Sequence, residues 1–188
     1  MDFLRTNAVL VVIFMALALF EPGRSQTQAA PPPQAQPQTS APPSMTASDP
    51  AILYKRAVVL LDNAEKNLSA MNIAEARALV KEANSMFGIL VKECGPAQKE
   101  RLLTPKEEEQ EAINQKLSRD EQAEAERQMK SAEEKEKKST QLKASQPELS
   151  VKYQKEAKEE YKQSLKRSIQ AQIYALRNQQ MLFRFLSP

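Results

Sequence analysis

From residue 49 to the C-terminus the chain has only two glycines, Gly88 and Gly95, and nearly every window holds helix formers rather than alternating β-branched residues. Sheets need that alternation and turn-forming residues between strands, so the pattern predicts an all-α fold. Three helix starts are marked by a proline at or near the first helical position, behind a capping residue: "SDPAI" at 48–52, "TPKE" at 104–107 and "SQPE" at 145–148. The last two also read as capping boxes, pairing Thr104 with Glu107 and Ser145 with Glu148. A glycine followed by proline in "CGP", 94–96, predicts a helix stop there.

The first helix is expected over about residues 49–70, with Leu53, Ala57, Leu60, Ala64, Leu68 and Met71 along one face. A turn at Met71 and Asn72 leads into a second helix. There Ala76, Val80, Ala83, Phe87, Leu90 and Cys94 repeat at steps of four and three, an uninterrupted heptad seam. Two such helices joined by a short turn form an antiparallel hairpin. Ala64, Ala76 and Ala83 have the small-residue spacing of a tetratricopeptide unit, and at these positions the hairpin resembles one such repeat. Asn63 and Asn67 stand where that family has a leucine and a tyrosine, and no second copy follows at a period of about 34 residues. A plain coiled-coil seam accounts for the same residues, and no family is assigned.

A second, longer hairpin is expected over 104–186. Its first arm, 104 to about 143, is strongly polar, with Ile113, Leu117, Met129 and scattered alanines as its apolar residues. Glu126 with Lys130, Glu133 with Lys137 and Glu134 with Lys138 are i, i+4 pairs in the favourable order. Its second arm, about 146–185, carries Tyr153, Ala157, Tyr161, Leu165, Ile169, Ile173 and Leu176, and ends in the apolar patch "MLFRFLSP". Residues 104–148 hold 9 basic and 12 acidic residues; residues 149–188 hold 8 and 3. An acidic arm beside a basic one favours antiparallel pairing, modestly and in a salt-screened way. With the turn near Ala144, Ile113 and Leu117 fall opposite 171–175. The base of this hairpin is then apolar, its tip is charged, and the base packs on the first hairpin.

The N-terminus sets the address. After Asp2 and Arg5, residues 8–20 are uncharged and mostly apolar, a run of 13. A spanning helix needs about 20, so residues 1–25 read as a cleaved signal peptide, with an N-terminal membrane anchor as the less favoured alternative. Cleavage after Ser25 is preferred over cleavage after Ala29. Residues 26–48, rich in proline, glutamine and alanine and without charge, read as a disordered linker. The expected protein is therefore exported, periplasmic or secreted. Its one cysteine, Cys94, cannot close an internal disulfide; it reads as a buried small residue or as the site of an intermolecular disulfide.

The absence of histidine excludes Ser-His-Asp and Cys-His catalysis and histidine-containing metal sites. The three glycines, at 23, 88 and 95, cannot build a phosphate-cradling loop or a dinucleotide fingerprint. Carboxylates suffice for glycoside hydrolysis only where burial raises a pKa, and Glu107, Glu108, Glu109 and Glu111 suit the first turns of a helix. The expectation is a non-enzyme without cofactor or metal. The formal charge of +3 is too small to imply nucleic acid. The expected function is that of a protein-binding scaffold or chaperone-like adaptor, through a protein partner or self-association. The alternative is a peripheral membrane or envelope protein whose basic last helix meets an anionic surface. The stripe and aromatic end of this helix read first as packing on the first hairpin; the candidate residues for either outward contact are Ile169, Ile173, Leu176, Met181, Leu182, Phe183, Arg184 and Phe185. The intact, unreduced mass of the protein from its native host tests the address: a mass beginning at Gln26 or Ala30 supports export, and one retaining the apolar run means an anchor.

Overall fold

The computed structural model describes residues 49–187; the signal peptide and linker expected over 1–25 and 26–48 lie outside them. The described residues are all-α: α1 (Pro50–Ser69), α2 (Ile73–Glu100), α3 (Pro105–Leu142) and α4 (Pro147–Leu182), followed by a 3-10 turn, Arg184–Leu186. They form a short antiparallel hairpin and then a long charged one of coiled-coil type.

Asp49 caps α1 by accepting the Ala51 N–H at 2.9 Å, with Pro50 at the first helical position. The buried face of α1 is Tyr54, Ala57, Leu61, Ala64 and Leu68. Leu53 and Leu60, expected on it, are only partly buried, and Met71 is exposed. The face is displaced because α1 serves two neighbours: α2 on one side and, on the other, α4, whose Gln180 carbonyl accepts the Tyr54 hydroxyl. At the turn, Asn72 N–H bonds Asn67 O at 2.9 Å and Met71 N–H bonds Leu68 O at 3.1 Å. This is a Schellman closure, with Met71 at φ 63° in the left-handed place usually taken by glycine.

Along α2 the expected Ala76, Val80, Ala83, Phe87 and Leu90 are all buried. The expected stop at Cys94-Gly95-Pro96 is corrected: α2 continues through Pro96 to Glu100. Gly95 does not adopt a positive φ, so it does not terminate the helix. Pro96 removes one N–H and its bond to the carbonyl four residues back. The turn beyond it is retained because Arg101, at the C-cap, reaches the Met181 and Leu182 carbonyls of α4 at 3.1 and 3.4 Å.

The expected box closes at the start of α3, where Thr104 Oγ1 accepts the Glu107 N–H and the Glu107 carboxylate accepts the Thr104 N–H. The second expected box, Ser145 with Glu148, does not form. Gln146 takes the cap position at φ −142°, without a side-chain bond, because a residue preceding proline is pushed toward extended backbone.

α4 is packed on two sides. Ile169, Ile173, Leu176 and Phe183 join Leu61, Leu68, Val80, Phe87 and Leu90 in one apolar core with the first hairpin. The body of α3 packs on α4 and on neither α1 nor α2; only its first turn meets the C-cap of α2, where Arg101 pairs with Glu107. Ile113 and Leu117, expected at the apolar base of its seam, are 44 and 37% exposed, and Met129 is 42% exposed. Small residues make the seam instead. Ser118, Ala125, Ala132 and Ser139 recur every seventh residue, facing Ser150, Ala157, Ser164 and Ala171, which recur likewise.

The hydroxyls fix the register of this seam by donating to main-chain carbonyls of the other helix. Ser118 reaches Ala171 at 2.9 Å, Ser164 reaches Ala125 at 2.7 Å, and Ser139 and Ser150 exchange bonds of 2.9 and 2.7 Å. A serine oxygen reaches the opposite backbone only when the two helices lie close, which small side chains permit. Each buried hydroxyl is thereby satisfied. The same register places Ala132 level with Ala157, and it seats Asn114 against Asn178 at 2.9 Å.

Among the described residues the expected i, i+4 ion pairs of α3 do not close. The ion pairs that bridge the arms are Lys135 with Glu160 at 2.6 Å and Glu156 at 3.3 Å, and Arg167 with Glu121 at 2.9 Å. Replacing Ala132 or Ala157 by Leu is expected to force the arms apart and lower stability by about 1–3 kcal/mol. Ile113→Ala and Leu117→Ala are expected to cost less than about 1 kcal/mol. Urea denaturation followed by far-UV circular dichroism checks the contrast, and equal costs for the two pairs count against the seam.

Candidate functional site

Two junctions moor α4 to the first hairpin and so decide which surfaces remain free. At the first, the Arg177 guanidinium meets Glu65 through both carboxylate oxygens, at 3.1 and 2.7 Å, and Asp62 at 2.8 Å. Burial works against this charge, yet the two carboxylates more than offset it and hold the guanidinium above its ordinary pKa. At the second, Arg101 satisfies two of the carbonyls left free at the end of α4 and pairs with Glu107 in the first turn of α3. One side chain at the C-cap of α2 thus gathers the ends of three helices.

Glu107 feels this strongly. The Thr104 backbone N–H first, and then the Arg101 side chain, hold its carboxyl at about 2, well below the ordinary carboxylate range. Toward the far end of the hairpin, burial raises the Tyr161 hydroxyl to about 12, aided by its donation to Glu136 at 2.8 Å and by the charges of Glu136 and Glu133.

The residues expected to meet a partner or membrane are divided by the fold. Ile169, Ile173, Leu176 and Phe183 are buried in the core with the first hairpin. Met181 and Leu182 are half-buried, and their carbonyls are held by Arg101. Only Arg184 and Phe185 are exposed, with Phe185 at 41%. The contact surface expected on this helix is therefore largely engaged within the chain, because a stripe apolar enough to bind outward is also apolar enough to close the core. Cys94 is half-buried against that core, and burial, then Glu93, raises its thiol pKa.

The outer part of the long hairpin is left uncovered by the first hairpin. The turn of the first hairpin ends beside Tyr161, Lys162 and Leu165, where Met71, Asn72, Ile73, Glu75 and Arg77 line an open cleft with them. The arms beyond it extend about 20 Å further at 1.5 Å per residue. The sequence pattern places a charged tip beyond an apolar base, but the candidate contact residues followed apolar side chains, whereas the exposed face of α4 there carries lysines. Among the described residues no helix is long and apolar enough to cross a membrane. No protein-family model, curated protein or solved structure matches this chain.

Glu107 supplies a pH test. Its folded-state pKa is depressed, so its contribution to stability is present above its unfolded pKa near 4.5 and is lost as the pH falls toward about 2. The expected outcome is a fall in the midpoint of thermal unfolding across that window, made shallower by Glu107→Gln. An unchanged slope in the variant would exclude this role.

Proposed function

We propose that the chain is an exported, non-catalytic helical protein that acts as a protein-binding scaffold or chaperone-like adaptor. The observation that carries the reading is the long hairpin: beyond its first turn, one of its arms, α3, packs on α4 alone among the described helices, and the outer part of the hairpin extends past the first hairpin. Such a hairpin presents two helical faces to a partner while its seam, built from serine hydroxyls and alanines, holds it closed.

A partly polar seam also supports a role that requires a defined shape. Buried serine and asparagine bonds favour one register over others, and a fixed register keeps the outward side chains in a fixed array. The membrane alternative draws less support, since four of the apolar residues it relies on lie in the core. Export rests on the signal-like N-terminus and the linker that follows it.

Sedimentation velocity over a wide concentration range, paired with affinity capture from the exported fraction of the native host, tests the proposal. A stable dimer or a reproducible partner is the expected outcome. A monomer at every concentration that captures nothing would sink it, and salt-sensitive sedimentation with anionic liposomes would favour the membrane alternative.

A further inference from the structure

The face by which α4 packs on the first hairpin, Leu165, Ile169, Ile173 and Leu176, does not stop where that hairpin ends. Followed toward the tip at steps of three and four, the same face carries Lys162, Lys158, Lys155 and Val151. All four are exposed, and Val151 is 65% so. Of the three acids between them, Glu156 and Glu160 both meet Lys135 across the seam, and Glu159 accepts from the Gln163 amide at 2.8 Å. Among the described residues Lys155, Lys158 and Lys162 form no ion pair.

Like charges three and four residues apart on a helix repel. This ridge is also continuous with an established helix-packing face, and at its foot Met71, Leu165 and Tyr161 line the cleft beside the first hairpin. It therefore offers what a further helix needs: a packing stripe with an apolar contact at each end and a row of lysines between.

We infer that this ridge is the docking site for an acidic amphipathic helix of a partner protein, lying on α4 in line with the first hairpin, with carboxylates on the three lysines and apolar side chains on Val151, Leu165 and Met71. A flat bilayer does not enter the corner between the first hairpin and α4, whereas a convex helix fills it. The inference rests on the scaffold reading and names the partner's chemistry.

The test uses the purified protein and two labelled synthetic helical peptides with the same Leu/Ala stripe, one flanked by Glu and the other by Lys, read by fluorescence anisotropy. The Glu peptide is expected to bind and to weaken with added salt. The Lys155→Glu/Lys158→Glu/Lys162→Glu variant is expected to lose affinity by about tenfold or more, and the corresponding triple Arg variant to retain it. Far-UV circular dichroism should match for all three proteins, since the changed residues are exposed.

Equal binding of the two peptides, full binding by the Glu variant, or binding to phosphatidylglycerol vesicles without binding to the Glu peptide would overturn the site. Should the Glu peptide fail while affinity capture still yields a partner, this inference falls and the scaffold reading stands.

Discussion

The arrangement depends on α4 being packed on two opposed faces by two different kinds of chemistry. Toward the first hairpin it offers large aliphatic side chains and closes a conventional core. Toward α3 it offers alanine and serine, and the contact is made by backbone proximity and hydroxyl-to-carbonyl bonds. The two faces occupy different stretches: the aliphatic one runs from Leu165 to the C-terminus, whereas the small-residue one runs the length of the helix. The first hairpin therefore ends part-way along α4, and the outer part of the long hairpin is held by its seam.

That division explains how a chain so rich in charge stays ordered. α3 buries almost no aliphatic surface, and its ion pairs to α4 are at least partly exposed, so each contributes little alone. Close approach along a seam of four small-residue layers spreads the contact over the whole arm. The buried hydroxyls and the Asn114–Asn178 pair penalise any slipped register by leaving polar groups unsatisfied. At the base, Arg101 and Arg177 tie the hairpin to α1 and α2 through α4, which places the free surface at the opposite end.

Much of the fold was legible along the chain. The starts of α1, α3 and α4 lie within a residue or two of their prolines, the heptad of α2 reads directly, and the antiparallel long hairpin follows from its length, turn and charge. Two local signals misled. Gly-Pro at 95–96 looks like a stop, yet a helix survives one lost bond when its end is anchored by Arg101. Ser145 looks like a cap, yet the residue before Pro147 takes that place. The stripe read along α4 does not stay on one face, for a geometric reason. A run at steps of four advances by about 40° each time on a helix of about 100° per residue, so the series from Tyr153 to Ile173 crosses from the α3 side of α4 to the side of the first hairpin.

Taken alone, the sequence determined the fold class, the helix starts and the α1–α2 seam, because proline, capping residues and heptad spacing act within a few residues of where they stand. Only the tertiary structure decided which face of α4 meets which neighbour, that alanine and serine rather than Ile113, Leu117 and Met129 line the long seam, and that Lys155, Lys158 and Lys162 are left uncovered. Those outcomes depend on how closely two backbones approach and on where a third helix ends. Both are relations between distant segments, and no local pattern of side chains encodes them.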